Sequence, residues 1–349
     1  RVAPRAGWTI SVGLWRRQSG SNRWARTCSP DGPISTINRP RLSSQFTNWT
    51  IAVPWSTVRR TTLRQGRHLN RLLIFGLGYS GRAIGALAAE AGFAVSATSR
   101  SPSGDLVPFD DAGAAIGLAT HILSTAAPDA GGDPVLARYA DTIRNASQLR
   151  WIGYLSSTIV YGNRDGGWVD EDTPPAPTQT RGTARVAAEA AWSEIADVPV
   201  DIFRLAGIYG PGRSAFDDLR AGTARRTIKP GHAFGRIHRD DIAQAVVAAM
   251  RQDRTAGPRV LNLTDDEPAE SAAVVEEAAR LFGVAPPPAV LFEDAVRTMS
   301  PMARSFWAEN RKVACVKTKH ALGIAWHYPT YREGLRAILR EERGEGSAQ

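Results

Sequence analysis

The chain has 349 residues and a formal net charge of +9, with 43 Lys or Arg against 34 Asp or Glu. That length admits one large α/β domain with an appended lobe, or two domains. Its two cysteines, Cys28 and Cys315, argue against a disulfide framework and a thiolate metal site, and no apolar run approaches the roughly 20 residues that span a bilayer. A cytoplasmic protein without a metal centre is expected.

Residues 1–70 hold twelve Arg, a single acid (Asp31) and five of the ten Trp. They show no sustained apolar period and are expected to be disordered or a non-native extension, since the chain begins at Arg1 rather than Met. An Arg- and Ser-rich, acid-poor organellar leader is the other reading. The remaining residues carry 31 basic and 33 acidic groups, so the positive charge is confined to the tail. A nucleic-acid footprint on the folded part is thereby argued against.

The first predicted strand covers 72–75 and runs into Gly76-Leu77-Gly78-Tyr79-Ser80-Gly81, followed by an Ala-rich helix over 80–91 with Gly92 at its C-terminal end. A second strand follows over 93–98. This is a GxGxxG turn between strand and helix inside one βαβ unit, the context of a dinucleotide site. Gly76 permits the tight turn, Gly78 lets backbone approach a pyrophosphate, and Gly81 allows helix to pack on strand. Tyr79 and Ser80 open the helix whose N-terminus would receive the phosphates. At the second strand's end stand Ser99 and Arg100, with no carboxylate between Gly92 and Gly104. A permanent cation there suits a 2′-phosphate, so NADP(H) is favoured over NAD(H). Asp110 is expected near the adenine.

Further apolar runs at 119–123, 151–155 and 200–205 alternate with helical patterns, the signature of a Rossmann-type, doubly wound parallel sheet. Ser124, at the end of the first of these runs, is assigned to the cofactor site. One more strand is predicted over 260–263 and an amphipathic helix over 270–282, with Ala273, Val274, Ala278 and Leu281 apolar. The folded part is expected to span 71–340, its small C-terminal substrate lobe built mainly from 206–235 and 265–330 and placed over the strand ends. A disordered tail is expected over 341–349.

Three later motifs carry a family resemblance: Ser156-Ser157-x-x-Val160-Tyr161-Gly162, Arg204-Leu205-x-x-x-Tyr209-Gly210-Pro211-Gly212, and His238-x-Asp240-Asp241. With the glycine turn, the chain over about 71–340 resembles the extended short-chain dehydrogenase/reductases, which include nucleotide-sugar epimerases and dehydratases. That resemblance implies a dinucleotide cofactor, a substrate-orienting role for Ser157, and pairing of two copies through helices beside the site. The family's catalytic Tyr-x-x-x-Lys departs here: Arg181 stands at the Tyr position and Arg185 at the Lys position. Arg185 can still hold ribose hydroxyls, but Arg181 cannot exchange a proton near neutral pH. The likeness is therefore to atypical members of the superfamily.

Tyr161 is the nearest phenol and is assigned as substitute proton relay. His238 is weighed as titratable but reads more readily as structural. Asp170, Glu171 and Asp172 read as a solvated acidic loop or as proton-transfer groups. Arg304, Ser305, Trp307, Asn310, Arg311 and Lys312 form a basic, aromatic cluster compatible with a small anionic substrate. The expected function is hydride transfer on a small carbonyl or alcohol. The alternatives are a nucleotide-sugar epimerase or dehydratase with retained NAD(P), and a non-catalytic NADP(H) sensor.

Overall fold

The computed structural model describes residues 69–101 and 104–345. Residues 1–68, which carry almost all of the basic segment, and the terminal 346–349 lie outside the described residues.

The main sheet has seven strands: β1 (Arg71–Phe75), β2 (Ala94–Ser99), β3 (Val107–Pro108), β4 (His121–Ser124), β5 (Trp151–Ser157), β6 (Pro199–Leu205) and β7 (Gly257–Leu263). Their order across the sheet is β7-β6-β5-β4-β1-β2-β3, every pair parallel. The order reverses at β1, whose neighbours are β2 and β4. Open sheets place ligands outside the strand C-terminal ends at such a switch point.

The first six helices are α1 (Tyr79–Glu90), α2 (Gly113–Leu118), α3 (Pro134–Arg144), α4 (Thr180–Ser193), α5 (Ala215–Ala221) and α6 (Arg239–Met250). The rest are α7 (Ser271–Phe282), α8 (Phe292–Thr298), α9 (Pro301–Trp307), α10 (Val316–Leu322) and α11 (Tyr331–Glu342).

Leu72, Leu73, Ile74 and Phe75 are buried because both faces of the central strands are covered, which is why they read as an unbroken apolar run. On one face Leu72 and Ile74 meet α1 through Ile84 and Ala88, and α6 through Ile242 and Val246. On the other, Leu73 and Phe75 meet α2, α3 and α4 through Ile116, Tyr139, Ile143 and Trp192. The expected doubly wound α/β sheet is therefore present, with element ends displaced by up to three residues, the largest shift being the start of β7 at Gly257.

The smaller layer differs from the expected ranges. Helices α5, α7 and α11 close a core of Tyr209, Phe216, Ala278, Tyr331, Leu335 and Ile338, so residues beyond 330 belong to it. The final helix runs through Glu342 rather than ending at 340. Cys315, Leu322 and Trp326, expected in the lobe, instead pack on the main sheet with α6. Along α7 the expected Ala278 is buried and Val274 and Leu281 pack half-buried against the core of the smaller layer, while the buried face also takes in Ala272, Val275, Glu277 and Ala279. Glu277 is tolerated there because Arg280 donates to it at 2.8 Å while Arg332 and Arg336 stand beside it.

Candidate active site

The glycine turn leaves β1 with Gly76 at φ +92°, a conformation that side chains resist. Thr125, just past β4, donates its hydroxyl to Gly76 O at 2.7 Å and sits close enough to Phe75 O, 3.1 Å, to share the proton. A Cβ on Gly76 would stand 2.8 Å from that hydroxyl, and one on Gly81 would stand 2.7 Å from Gly76 O. A Cβ on Gly78 would meet nothing within 4 Å. Helix α1 has neither a side-chain cap nor an acid in its first turn. Its first N–H groups and the positive end of its dipole thus face an open approach over Gly78, which fits a dinucleotide pyrophosphate.

Sequence reasoning missed Thr125, whose only signal is a second hydroxyl after Ser124. Ser124 itself is fully buried with its hydroxyl unpartnered among the described residues, enclosed rather than presented to the cleft. Ser80 is also buried, at 9% exposure. Tyr79 spans to the loop after β6, donating to Pro211 O at 3.0 Å with the Arg213 and Arg239 guanidinium groups 5.8 and 5.4 Å from its ring.

At the end of β2, Ser99 accepts from Ser101 N at 3.1 Å. Arg100 is exposed and has no hydrogen-bond or ion-pair partner among the described residues. Strand β3 pairs Val107 with Thr98 and Pro108 with Ser99, which carries the exposed Asp110, on the turn Phe109–Asp111, to the edge that bears Arg100.

Ser157 ends β5 and accepts from Ile159 N at 3.3 Å, capping the short turn Thr158–Tyr161. It lines a cavity of about 460 Å³ whose other walls include Arg181, Ala233–Arg236 from the smaller layer, Ser305, Phe306 and Trp307 from α9, and Arg311. Arg181 stands over the Phe306 ring at 5.6 Å. Arg185, one turn further along α4, donates to Leu155 O at 2.7 Å and Tyr154 Oη at 3.4 Å, so its guanidinium is turned onto β5.

Tyr161 corrects the expectation that it relays a proton. Its side chain is fully buried outside this cavity lining, its hydroxyl donates to Asn262 Oδ1 at 2.8 Å, and burial raises its pKa above the usual phenol value. The adjacent Arg204 guanidinium, 4.8 Å over the ring, is held by Glu189 in a buried ion pair.

His238 is buried at 1% exposure and accepts from Asp240 N through Nδ1 at 3.2 Å, capping α6. Burial lowers its pKa to about 4, so near neutral pH it is an uncharged cap. The acidic loop is structural too: Glu171 accepts from Thr318 N and Oγ1 at the start of α10, and Asp170 and Asp172 pair with Lys317. The expected basic cluster divides. Ser305, Trp307 and Arg311 line the cavity, Arg304 turns to Met299 O, Asn310 clasps Gly231 O, and Lys312 lies by Trp168. No group of three or more His, Cys, Asp or Glu able to hold a metal ion occurs among the described residues, and no helix among them is long and apolar enough to cross a membrane.

Asp265, after β7, has a pH consequence. Burial pushes its pKa up to about 8, so the folded chain keeps a proton that the unfolded chain releases near 3.8. Between those values the folded state binds more protons, and stability falls as pH rises. From about pH 6.5 to 8 the expected loss from this group is about 2 kcal/mol. Urea titrations of wild type and Asp265→Asn across that range check it: the variant should lose the slope.

No family model matches the chain. The sheet order and the glycine turn define a Rossmann-type, doubly wound α/β protein, with the Ser157 cavity beside the strand ends and Arg181 and Arg185 spaced four apart on α4. The chain belongs to the same family as a functionally unknown conserved protein from Silicibacter pomeroyi DSS, 44% identical with a TM-score of 0.69 over 78% of this chain and 99% of that one. The human epimerase family protein SDR39U1, solved with NADPH, shares the fold at 18% identity and a TM-score of 0.64, over 77% of this chain and 98% of that one. A 3-diazoavenalumate denitrifying reductase from Streptomyces sp is 30% identical over 176 residues, 48% of this chain and 55% of that protein. The chain spans about half the length of the curated relatives it matches.

Proposed function

We propose that the chain is an NADP(H)-dependent oxidoreductase that transfers hydride to or from a small carbonyl or alcohol. The observation that carries this reading is the shared C-terminal edge of the sheet: the uncapped, glycine-floored start of α1, the unpartnered Arg100 and the cavity-lining Ser157 all lie along it. The glycine turn would hold the pyrophosphate and Arg100 the 2′-phosphate, and Arg185 would hold the nicotinamide ribose only by turning its guanidinium away from Leu155 O. NADP(H), when bound, supplies the hydride chemistry.

The chain's own contribution is orientation. Ser157 offers a hydroxyl to a substrate oxygen, which polarises a carbonyl or aligns an alcohol. The side chains able to move a proton are committed elsewhere. Burial drives the Tyr209 phenol far above its usual value, and Glu309 accepts from Thr178 and Arg311. The proton that balances hydride delivery to a carbonyl therefore comes from water, through the mouth where Arg181 and Phe306 are exposed.

A nucleotide-sugar epimerase is the second reading. What favours it is a further cavity of about 490 Å³ beside the first, sharing Ile208, Tyr209, Arg236 and Ser271. NADPH oxidation against a panel of aldehydes and ketones tests the lead reading. Ser157→Ala should lower kcat by about 100-fold with NADPH affinity unchanged. NADPH binding without turnover on any carbonyl would contradict a reductase and favour the NADP(H) sensor.

A further inference from the structure

We infer that the cavity beside Ser157 takes an aromatic monocarboxylate, an inference that rests on reading this cavity as the substrate site. Three guanidinium groups reach its lining, and their partners separate them. Arg311 pairs with Glu309 at 2.7 Å and donates to Gly162 O at 3.0 Å. Arg236 donates to Phe234 O at 2.9 Å and Ala269 O at 3.1 Å. Arg181 alone of the three has neither an ion-pair nor a hydrogen-bond partner among the described residues, and it is exposed at the mouth. One uncommitted guanidinium matches one carboxylate, which it can grip with two parallel hydrogen bonds. A nucleoside diphosphate brings at least two negative charges and finds only one such group in the lining of this cavity.

The ring surface is equally specific. Phe306 is 55% exposed although it lines the cavity, so it leaves apolar surface uncovered next to the Arg181 guanidinium that stands over its ring. Trp307 next to it is fixed from behind: Phe292 lies 5.4 Å away, His232 5.2 Å, and Lys229 donates to the Trp307 carbonyl at 2.8 Å. Phe234 meets Trp307 edge-on at 5.1 Å, which gives the cavity a rigid aromatic corner. A flat ring is held by such a corner through stacked and edge contacts worth about 0.5–1.5 kcal/mol each beyond area burial. With the carboxylate on Arg181 and the ring against Phe306 and Trp307, Ser157, in the same lining, is left to meet the reacting end.

The test is isothermal titration of the full chain with phenylpyruvate, cinnamate, pyruvate and UDP-glucose, each with wild type, Arg181→Ala and Phe306→Ala, plus NADPH alone. Phenylpyruvate or cinnamate should bind at least tenfold more tightly than pyruvate. Each substitution should weaken the aromatic acid at least tenfold and leave NADPH affinity unchanged. Tighter binding of UDP-glucose, aromatic-acid binding that ignores Arg181→Ala, or no binding of either aromatic acid would overturn the inference. If NADPH binds and the aromatic acids do not, only the substrate class falls. If the acids bind through Arg181 and NADPH does not bind, the cofactor reading falls instead.

Discussion

Glutamate in place of Gly78 is expected to cost at least about 100-fold in NADPH affinity, while stability stays within about 0.5 kcal/mol of wild type. Gly78 has an ordinary φ of −83° and a side chain there would enter open space, so folding tolerates it. A carboxylate at the start of α1 would itself settle on the helix dipole, which makes it a competitor for the phosphates. Gly81→Ala should behave differently, because its Cβ would press on Gly76 O at 2.7 Å and the turn itself would have to shift. Thermal melts and NADPH titrations of both variants separate blocked binding from a damaged turn. Wild-type affinity in the Gly78 variant would mean that the phosphates lie elsewhere.

The second large effect is on stability. Glu189 on α4 accepts from Ser156 Oγ on β5 at 2.5 Å and from Arg204 on β6 through Nε at 3.1 Å and Nη2 at 2.7 Å. The side chains of the ion pair are 8% and 5% exposed. Removing one partner of a buried pair leaves the other charge desolvated, so Glu189→Ala should cost about 3–5 kcal/mol. Replacing both, as Glu189→Leu with Arg204→Met, should recover most of that loss, since a buried pair gains little over apolar packing. Urea unfolding of the three proteins measures both effects. A loss below about 1 kcal/mol for Glu189→Ala would contradict the account. Because α4 also carries Arg181 and Arg185, this pair fixes the helix that faces both the cavity and β5.

The sequence was most legible where local rules sufficed. The glycine spacing, the Ala-rich helix and the apolar strands are short-range signals, and the β1–α1–β2 unit follows from them almost residue for residue. The two-residue β3 is too short to produce a period. Side-chain roles depended on distant partners. Tyr161 looks available beside Ser157, yet its orientation is decided by Asn262, 101 positions away, and by Arg204. Thr125 matters because β4 lies beside β1, a pairing absent from local sequence. Arg181 and Arg185 share spacing and chemistry, but one reaches Phe306 across the cavity and the other the backbone of β5. The smaller layer was least legible, because its short strands pair across long stretches, as Arg226–Ile228 does with Ala289–Leu291.

The most direct measurement is calorimetric titration of the full chain with NADPH and NADH, repeated with Arg100→Ala. The account predicts that NADPH binds more tightly than NADH and that the substitution weakens NADPH by about 10- to 100-fold while leaving NADH unchanged. Binding of neither dinucleotide would contradict the central claim, and tighter binding of NADH with no effect of Arg100→Ala would contradict the assignment of Arg100 to the 2′-phosphate.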